Sequence, residues 1–207
     1  MVEVSRRRAI EDVASTLFRA RGYSATSVRD IARALDIQGP SLYAHVTSKE
    51  DVLWAIVDRA ATRFETAAVQ ALGTSGTPDA GSARLATAAR DPSAALAALV
   101  RAHVRVITDD PGAAAVFVHE WRSLGGERRT AILARRDAYE RRFRDLIEAG
   151  MAGGEFELTD PVIAAMTILS ALNGPAAWYD PAGRLPPDRI ADHLVDLVLR
   201  MLQGASR

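Results

Sequence analysis

DIQGPSLYAHVTSKE, residues 36–50, is short and only moderately apolar, yet it holds Lys49, the one lysine in a chain with 26 Lys and Arg together. Pro40 can open a helix here, because its missing N–H costs nothing in a first turn and its ring pre-sets φ. The stretch Pro40–His45 makes only about two turns and cannot bury much surface. Leu42 and Val46 suffice to hold it to its neighbours, which leaves Gln38, Ser41, Tyr43, Ala44 and His45 outward. Gln, Ser and His can hydrogen-bond base edges, and the small Gly39 and Ala44 permit close approach to a duplex. Tyr43 can send its hydroxyl to a phosphate while its ring packs.

The residues before this stretch give it a platform. Ile10, Val13, Ala14, Leu17 and Phe18 recur at amphipathic-helix spacing, with Gly22 as a stop. Thr26 and Ser27 can cap a second helix that turns Val28, Ile31, Ala32 and Leu35 inward. Two short helices joined by so tight a turn match the helix-turn-helix scale, in which the second helix enters the major groove. Thr26 and Ser27, with the N–H groups that begin the second helix, would form a phosphate site. Ser48 caps a longer fourth helix carrying Val52, Leu53, Ile56, Val57, Ala60 and Phe64 inward. At its start the Lys49 ammonium suits a phosphate oxygen, a contact that positions without reading sequence. Arg6, Arg7 and Arg8 read either as an arm reaching phosphates or the minor groove, or as a solvated tail.

Charge agrees with a polyanion-binding head. Residues 1–49 hold eight Lys and Arg against five acids, whereas residues 50–207 hold 18 against 21. A basic amino-terminal segment thus precedes a mildly acidic body, although the formal net charge is zero. Without cysteine there can be no disulfide, zinc-thiolate site or cysteine nucleophile. His103 and His119 do not make a metal motif, and HEW at 119–121 lacks the second histidine of HExxH. No metal, cofactor or catalytic residue is expected. The first residues lack a secretory signal, and no apolar run reads as long enough to span a bilayer. A soluble cytoplasmic protein with no membrane partner is the default.

Helical periodicity continues through the body. GTSGTPDAGS is linker-like, so residues 73–92 read as a mobile connection with a short helical patch at 84–89. Helices are expected around Leu96–Ile107, Ala113–Leu124, Arg128–Ala149, Pro161–Ala177 and Pro187–Gln203. No run alternates as a strand does, and the fold class is all-α. The last two helices carry more apolar surface than one side can bury, which fits a homodimer packed through residues 161–177 and 187–203 as a four-helix bundle.

Thr26–Leu53, TSVRDIARALDIQGPSLYAHVTSKEDVL, closely resembles the DNA-binding signature of the tetracycline-repressor (TetR) family. One departure is Asp36, where the family usually has glycine in the turn; aspartate tolerates left-handed φ better than most residues. The resemblance implies a three-helix helix-turn-helix domain over residues 1–50 and a helical ligand-binding and dimerisation domain over 51–207. It implies Thr26, Ser27, Gln38, Gly39, Pro40, Ser41, Tyr43, His45 and Lys49 as DNA-binding residues. Phe117–Phe156 and Leu172–Leu199 resemble the branch whose members respond to acyl-CoA and ketosteroid-CoA thioesters. A long apolar cavity for such an effector could be lined by Phe117, Trp121, Tyr139, Phe143, Met166, Leu169 and Trp178. Asn173 would stand near a thioester carbonyl, and Arg122, Arg135, Arg136, Arg141 and Arg142 are candidates for CoA phosphates.

The expected function is therefore a homodimeric repressor released from a palindromic double-stranded DNA operator by a small hydrophobic effector. A helical enzyme or ligand carrier with vestigial DNA binding is the competing class. Against it, the sequence has no GxSxG, no phosphate-cradling GK[ST] loop and no clear nucleophile–base pair. A structural DNA-binding protein without a ligand is a third reading.

Overall fold

A computed structural model of the chain describes residues 2–73 and 91–204. The connection expected over residues 73–92 lies, apart from its ends, outside the described residues, as does its helical patch. Every regular element among the described residues is helical: α1 (Val2–Arg21), α2 (Val28–Ala34), α3 (Gly39–Tyr43), α4 (Lys49–Ala71), α5 (Pro92–Asp109), α6 (Pro111–His119), a 3-10 turn (Trp121–Ser123), α7 (Gly126–Ala152), α8 (Pro161–Asn173), α9 (Pro175–Trp178) and α10 (Pro187–Gln203).

Two compact units result, and they do not divide the chain at residue 50. One comprises Met1–Thr62 with Asp110–Ala134, the other Arg63–Asp109 with Arg135–Arg207. The reason lies in which apolar residues share a core. Val52, Leu53, Ile56 and Val57 of α4 pack with Ile10, Phe18, Ile31 and Leu42, and Ala113, Val116, Trp121, Leu124 and Ile132 join the same cluster. The second unit has its own core, built on Leu96, Val100, Phe143, Ile147, Ile168 and Val198. In it α5 packs against α8, α9 and α10.

Local chemistry sets the helix ends. The Asp110 side chain caps α6 by accepting from Ala113 N at 3.1 Å. The Asp160 carboxylate caps α8 by accepting from Val162 N at 2.9 Å and Ile163 N at 3.1 Å. The helix expected over Ala113–Leu124 stops at His119 and tightens into the 3-10 turn, where Ser123 N donates to Glu120 O and Leu124 N to Trp121 O. The helix expected to reach Ala177 ends at Asn173, because Pro175 has no N–H to continue the ladder.

That break bears on the membrane question. Residues Pro161–Trp178 reach a mean hydropathy of 1.2 over 18 residues, so the expectation that no run is long enough to span a bilayer is corrected on length and composition. The helix itself has 13 residues, about 20 Å against a hydrocarbon thickness of about 30 Å. Its exposed large apolar residues are Val162, Ile163 and Met166, and α10 adds exposed Leu197 and Met201.

The amino terminus departs from expectation too. Arg6, Arg7 and Arg8 lie inside α1, neither arm nor tail. Arg7 pairs with Glu11 and Arg8 with Asp12 one turn further on, contacts that favour helix over free chain. Arg7 also reaches Asp51 at 3.6 Å and Arg8 reaches Asp110 at 3.8 Å.

Candidate nucleic-acid interface and ligand core

The turn between α2 and α3 is made by Asp36, whose φ of 53° is the one positive value on a non-glycine residue among those described. Aspartate adopts that region at small cost, so the departure from glycine preserves the turn. Ile37 N closes it by donating to Ala32 O at 3.0 Å. Before it, α2 begins with a capping box: Ser27 Oγ accepts from Asp30 N, and Asp30 Oδ2 accepts from Ser27 N at 2.9 Å. Those hydrogen bonds from Ser27 hold the Asp30 carboxyl below the usual carboxylate range.

The five residues of α3 sort cleanly. Leu42 is fully buried and Val46 nearly so. Gln38, Pro40, Ser41 and Ala44 are exposed, and Tyr43 keeps 56% of its surface open. Gln38 makes no side-chain cap, so its amide is available to an outside partner. Around Gly39, a Cβ would meet nothing within 4 Å, so the protein itself does not demand glycine there. His45 is half-buried, with Nδ1 enclosed and unpartnered. Arg29, Arg33, Asp36, Ile37, Gln38 and Gly39 line an open groove of about 500 Å³ beside the turn.

Two expected phosphate contacts are reassigned. Thr26 is buried, and its hydroxyl donates to Gly22 O at 2.9 Å, so its side chain faces the interior. Lys49 Nζ donates to Tyr23 O at 3.0 Å and Thr26 O at 2.9 Å, and sits 4.1 Å from the Tyr23 ring centroid. Two of its three N–H bonds are thus spent on the loop between α1 and α2. The primary role of the lone ammonium is to brace that loop against the start of α4. Ser27 remains exposed beside it.

Charge organises the rest of this unit. Arg59 of α4 pairs with Glu11, with Asp12 at 3.3 Å and with Asp110 at 3.9 Å, while Arg128 of α7 pairs with Asp51 at 3.1 Å. With Arg7 and Arg8 these groups tie α1 to α4, α6 and α7. Nothing in the sequence pattern announced this network, since its members lie up to about a hundred residues apart in the chain.

The eight residues expected to line one effector cavity are divided between the two units. Trp121 belongs to the core of the first unit, and Phe117 packs against it partly buried. Met166 and Trp178 are exposed, at 55% and 58%. Only Tyr139, Phe143, Leu169 and Asn173 remain in the interior of the second unit. Among the arginines, Arg135 is committed to Glu65 through two hydrogen bonds of 2.7 Å, and Arg122 stacks on Trp121 at 4.6 Å.

His103, on the inward face of α5, meets three of these four: Tyr139, Phe143 and Asn173. Its ring is 3% exposed and lies 4.8 Å from Phe64, 5.8 Å from Tyr139 and 6.5 Å from Phe143, centroid to centroid. Nδ1 lies 3.1 Å from the Tyr139 hydroxyl. Burial is the main cause that brings the imidazole pKa down to about 3, with the Asn173 side chain opposing it and the charge of Arg136 adding to it. Burial around the Tyr139 hydroxyl raises its pKa. The available signal was its register: His103 is a polar residue on the inward face shared by Leu99, Val100, Val104 and Ile107.

A short helix, set by a left-handed turn and presented by a small helical core, has the geometry of a helix-turn-helix. Residues 10–56 match the family model for bacterial regulatory proteins of the tetR family, and residues 89–202 match the tetracyclin repressor-like C-terminal domain. The chain belongs to the TetR family and is a DNA-binding transcriptional repressor. It is 30% identical over 200 residues to the HTH-type transcriptional repressor KstR2 of Rhodococcus jostii RHA1, covering 94% of this chain and 89% of that one. Among solved structures it resembles PfmR of Thermus thermophilus, a TetR-family transcriptional regulator, with TM-score 0.77, 31% identity and coverage of 96% and 99%. It also resembles AibR in complex with isovaleryl coenzyme A and operator DNA, with TM-score 0.76, 27% identity and coverage of 93% and 97%.

Two outcomes follow from this geometry. Lys49→Ala removes charge-assisted hydrogen bonds to two carbonyls, so the DNA-free protein loses about 1–3 kcal/mol of stability in thermal or urea unfolding. An unchanged melting curve would refute the brace. For His103 the folded pKa of about 3 lies below the ordinary 6.5, so the unfolded chain takes up the proton first as pH falls. Its share of stability is complete above about pH 6.5 and is lost between there and pH 3, at up to about 1.4 kcal/mol per pH unit. Urea titrations at pH 7, 6 and 5 should show a shallower acid loss in His103→Gln than in the parent.

Proposed function

We propose that the chain is a homodimeric repressor that reads a palindromic operator with α3 and is released by a hydrophobic acyl-CoA thioester. The observation that carries the reading is the sorting of α3, with buried Leu42 and Val46 anchoring a helix whose Gln38, Ser41 and Tyr43 point outward. Gln38 and Ser41 are the base-reading groups, and Tyr43 and Ser27 serve phosphates. Gly39, Pro40 and Ala44 keep the helix low enough for the duplex to approach. His45 contributes from the end of α3, and the third N–H of Lys49 adds a phosphate contact.

The exposed apolar face of α8 and α10 supports the dimer, because Ile163, Met166, Leu197 and Met201 together are the kind of patch that marks an interface. A two-fold pair of reading helices would occupy successive major grooves about 34 Å apart. The effector class is supported by the relatives: AibR is known with isovaleryl coenzyme A and operator DNA, and KstR2 is a repressor similar along most of this chain. Tyr139, Phe143, Leu169 and Asn173 are the residues of the second unit that would meet such a ligand. Helix α4 contributes residues to both compact units and is the natural carrier of coupling. A coupling of about 1–3 kcal/mol would lower operator affinity about 5–150-fold.

Three measurements test these claims. Selection of bound sequences from a random duplex pool should yield a palindrome, and its base preferences should change in Gln38→Ala or Ser41→Ala while melting temperature holds. Recovery of no preferred sequence would remove the reading role. Ile163→Glu combined with Leu197→Glu should convert a dimer to a monomer in sedimentation and weaken operator binding at least tenfold; a dimer that persists would relocate the interface. CoA thioesters, but not the matching free acids, should raise the melting temperature and release the operator. Equal effects of acid and thioester would reject the thioester class.

A further inference from the structure

His103 has a second ring nitrogen for which the fold supplies no use. Nε2 is enclosed and has no partner that meets hydrogen-bond geometry, although the Asn173 side chain lies close enough to the ring to favour its protonated form. A neutral imidazole carries one N–H, and the Tyr139 hydroxyl at 3.1 Å from Nδ1 decides where it sits. If Nδ1 carried the hydrogen, the Tyr139 O–H would lose its acceptor and Nε2 would be a bare lone pair, leaving two groups unpaired. If the hydroxyl donates to Nδ1, the one unmade bond is a donor, Nε2–H. Buried donors without acceptors are rare in native interiors and call for an explanation.

The surroundings say what kind of acceptor is missing. Phe64, Tyr139 and Phe143 ring the imidazole, so the partner is carried on an apolar body. Tyr139 itself is only partly buried. Arg136 adds positive charge and Asn173 a neutral amide, and nothing there turns the imidazole into a cation able to pair with an incoming carboxylate. We propose that His103 Nε2–H, with Asn173 beside it, is the donor that recognises a neutral carbonyl oxygen on an otherwise apolar effector. Tyr139 is a positioning residue that holds the required tautomer. The inference rests on the effector reading given above and adds to it the recognised atom. That oxygen is either the thioester carbonyl or a keto group on the acyl chain.

Nitrogen-15 NMR of histidine-labelled protein tests the first step without any ligand: His103 should be neutral at pH 7 with its hydrogen on Nε2. A hydrogen on Nδ1 overturns the proposal. Binding is then compared for octanoyl-CoA, S-octyl-CoA, in which a methylene replaces the carbonyl, and 7-oxo-octanoyl-CoA. A thioester contact makes octanoyl-CoA bind about 3–10-fold tighter than S-octyl-CoA; a keto contact gives 7-oxo-octanoyl-CoA a similar advantage over octanoyl-CoA. The preference should vanish in His103→Phe, survive in His103→Gln, which keeps a donor, and shrink in Tyr139→Phe. The Nε2 resonance should move only with the preferred carbonyl. A preference that is absent, or that persists unchanged in His103→Phe, overturns the inference and leaves the thioester reading standing. If none of the three CoA probes binds, that reading fails and the inference fails with it.

Discussion

A helix of five residues has too few internal hydrogen bonds to hold itself together in water, so everything that makes α3 useful must come from outside it. Leu42 and Val46 provide the anchorage, and Asp36 at positive φ sets the angle at which the helix leaves α2. The capping box fixes the opposite end of α2, where the loop after α1 leads into it. Lys49 then closes the arrangement by tying the loop after α1 to the first residue of α4. A reading element this small leaves most of its side chains free for DNA because so few are needed for packing.

The ion-pair network of the same unit serves that anchorage at longer range. Arg59 alone gathers carboxylates from α1 and from the cap of α6. Exposed pairs of this kind contribute little singly, but Glu11 is largely buried and shared between Arg7 and Arg59. The second unit uses the opposite device. There a neutral imidazole is placed inside an aromatic cluster, with one ring nitrogen beside the Tyr139 hydroxyl and the other enclosed.

Much of the reading head was legible because its determinants are local. The inward residues of α1, α2 and α4 follow helical spacing, the tolerance of Asp36 for left-handed φ is a property of its own side chain, and Pro40 falls in the first turn of α3 as proline should. The residues expected to meet an effector were less legible. Aromatic positions such as Phe117, Trp121 and Tyr139 look alike in a helical pattern, whether they end in one core or another. Met166 and Trp178 carry the same apolar signal and are nevertheless exposed. The spacing puts His103 on the inward face, where it is buried, but does not name the side chains that meet it there.

By itself the sequence determined the all-helical periodicity, the turn at Asp36 and the outward set on α3, because each depends on residues within a turn or two of one another. The tertiary structure decided where Lys49 spends its hydrogen bonds, since Tyr23 and Thr26 lie 26 and 23 residues away. It also decided that Thr26 turns inward, that Arg7 and Arg8 are helical, and that His103 joins Tyr139 across 36 residues. Those outcomes depend on the path of the chain in space, and side-chain chemistry names the possible partners without choosing among them.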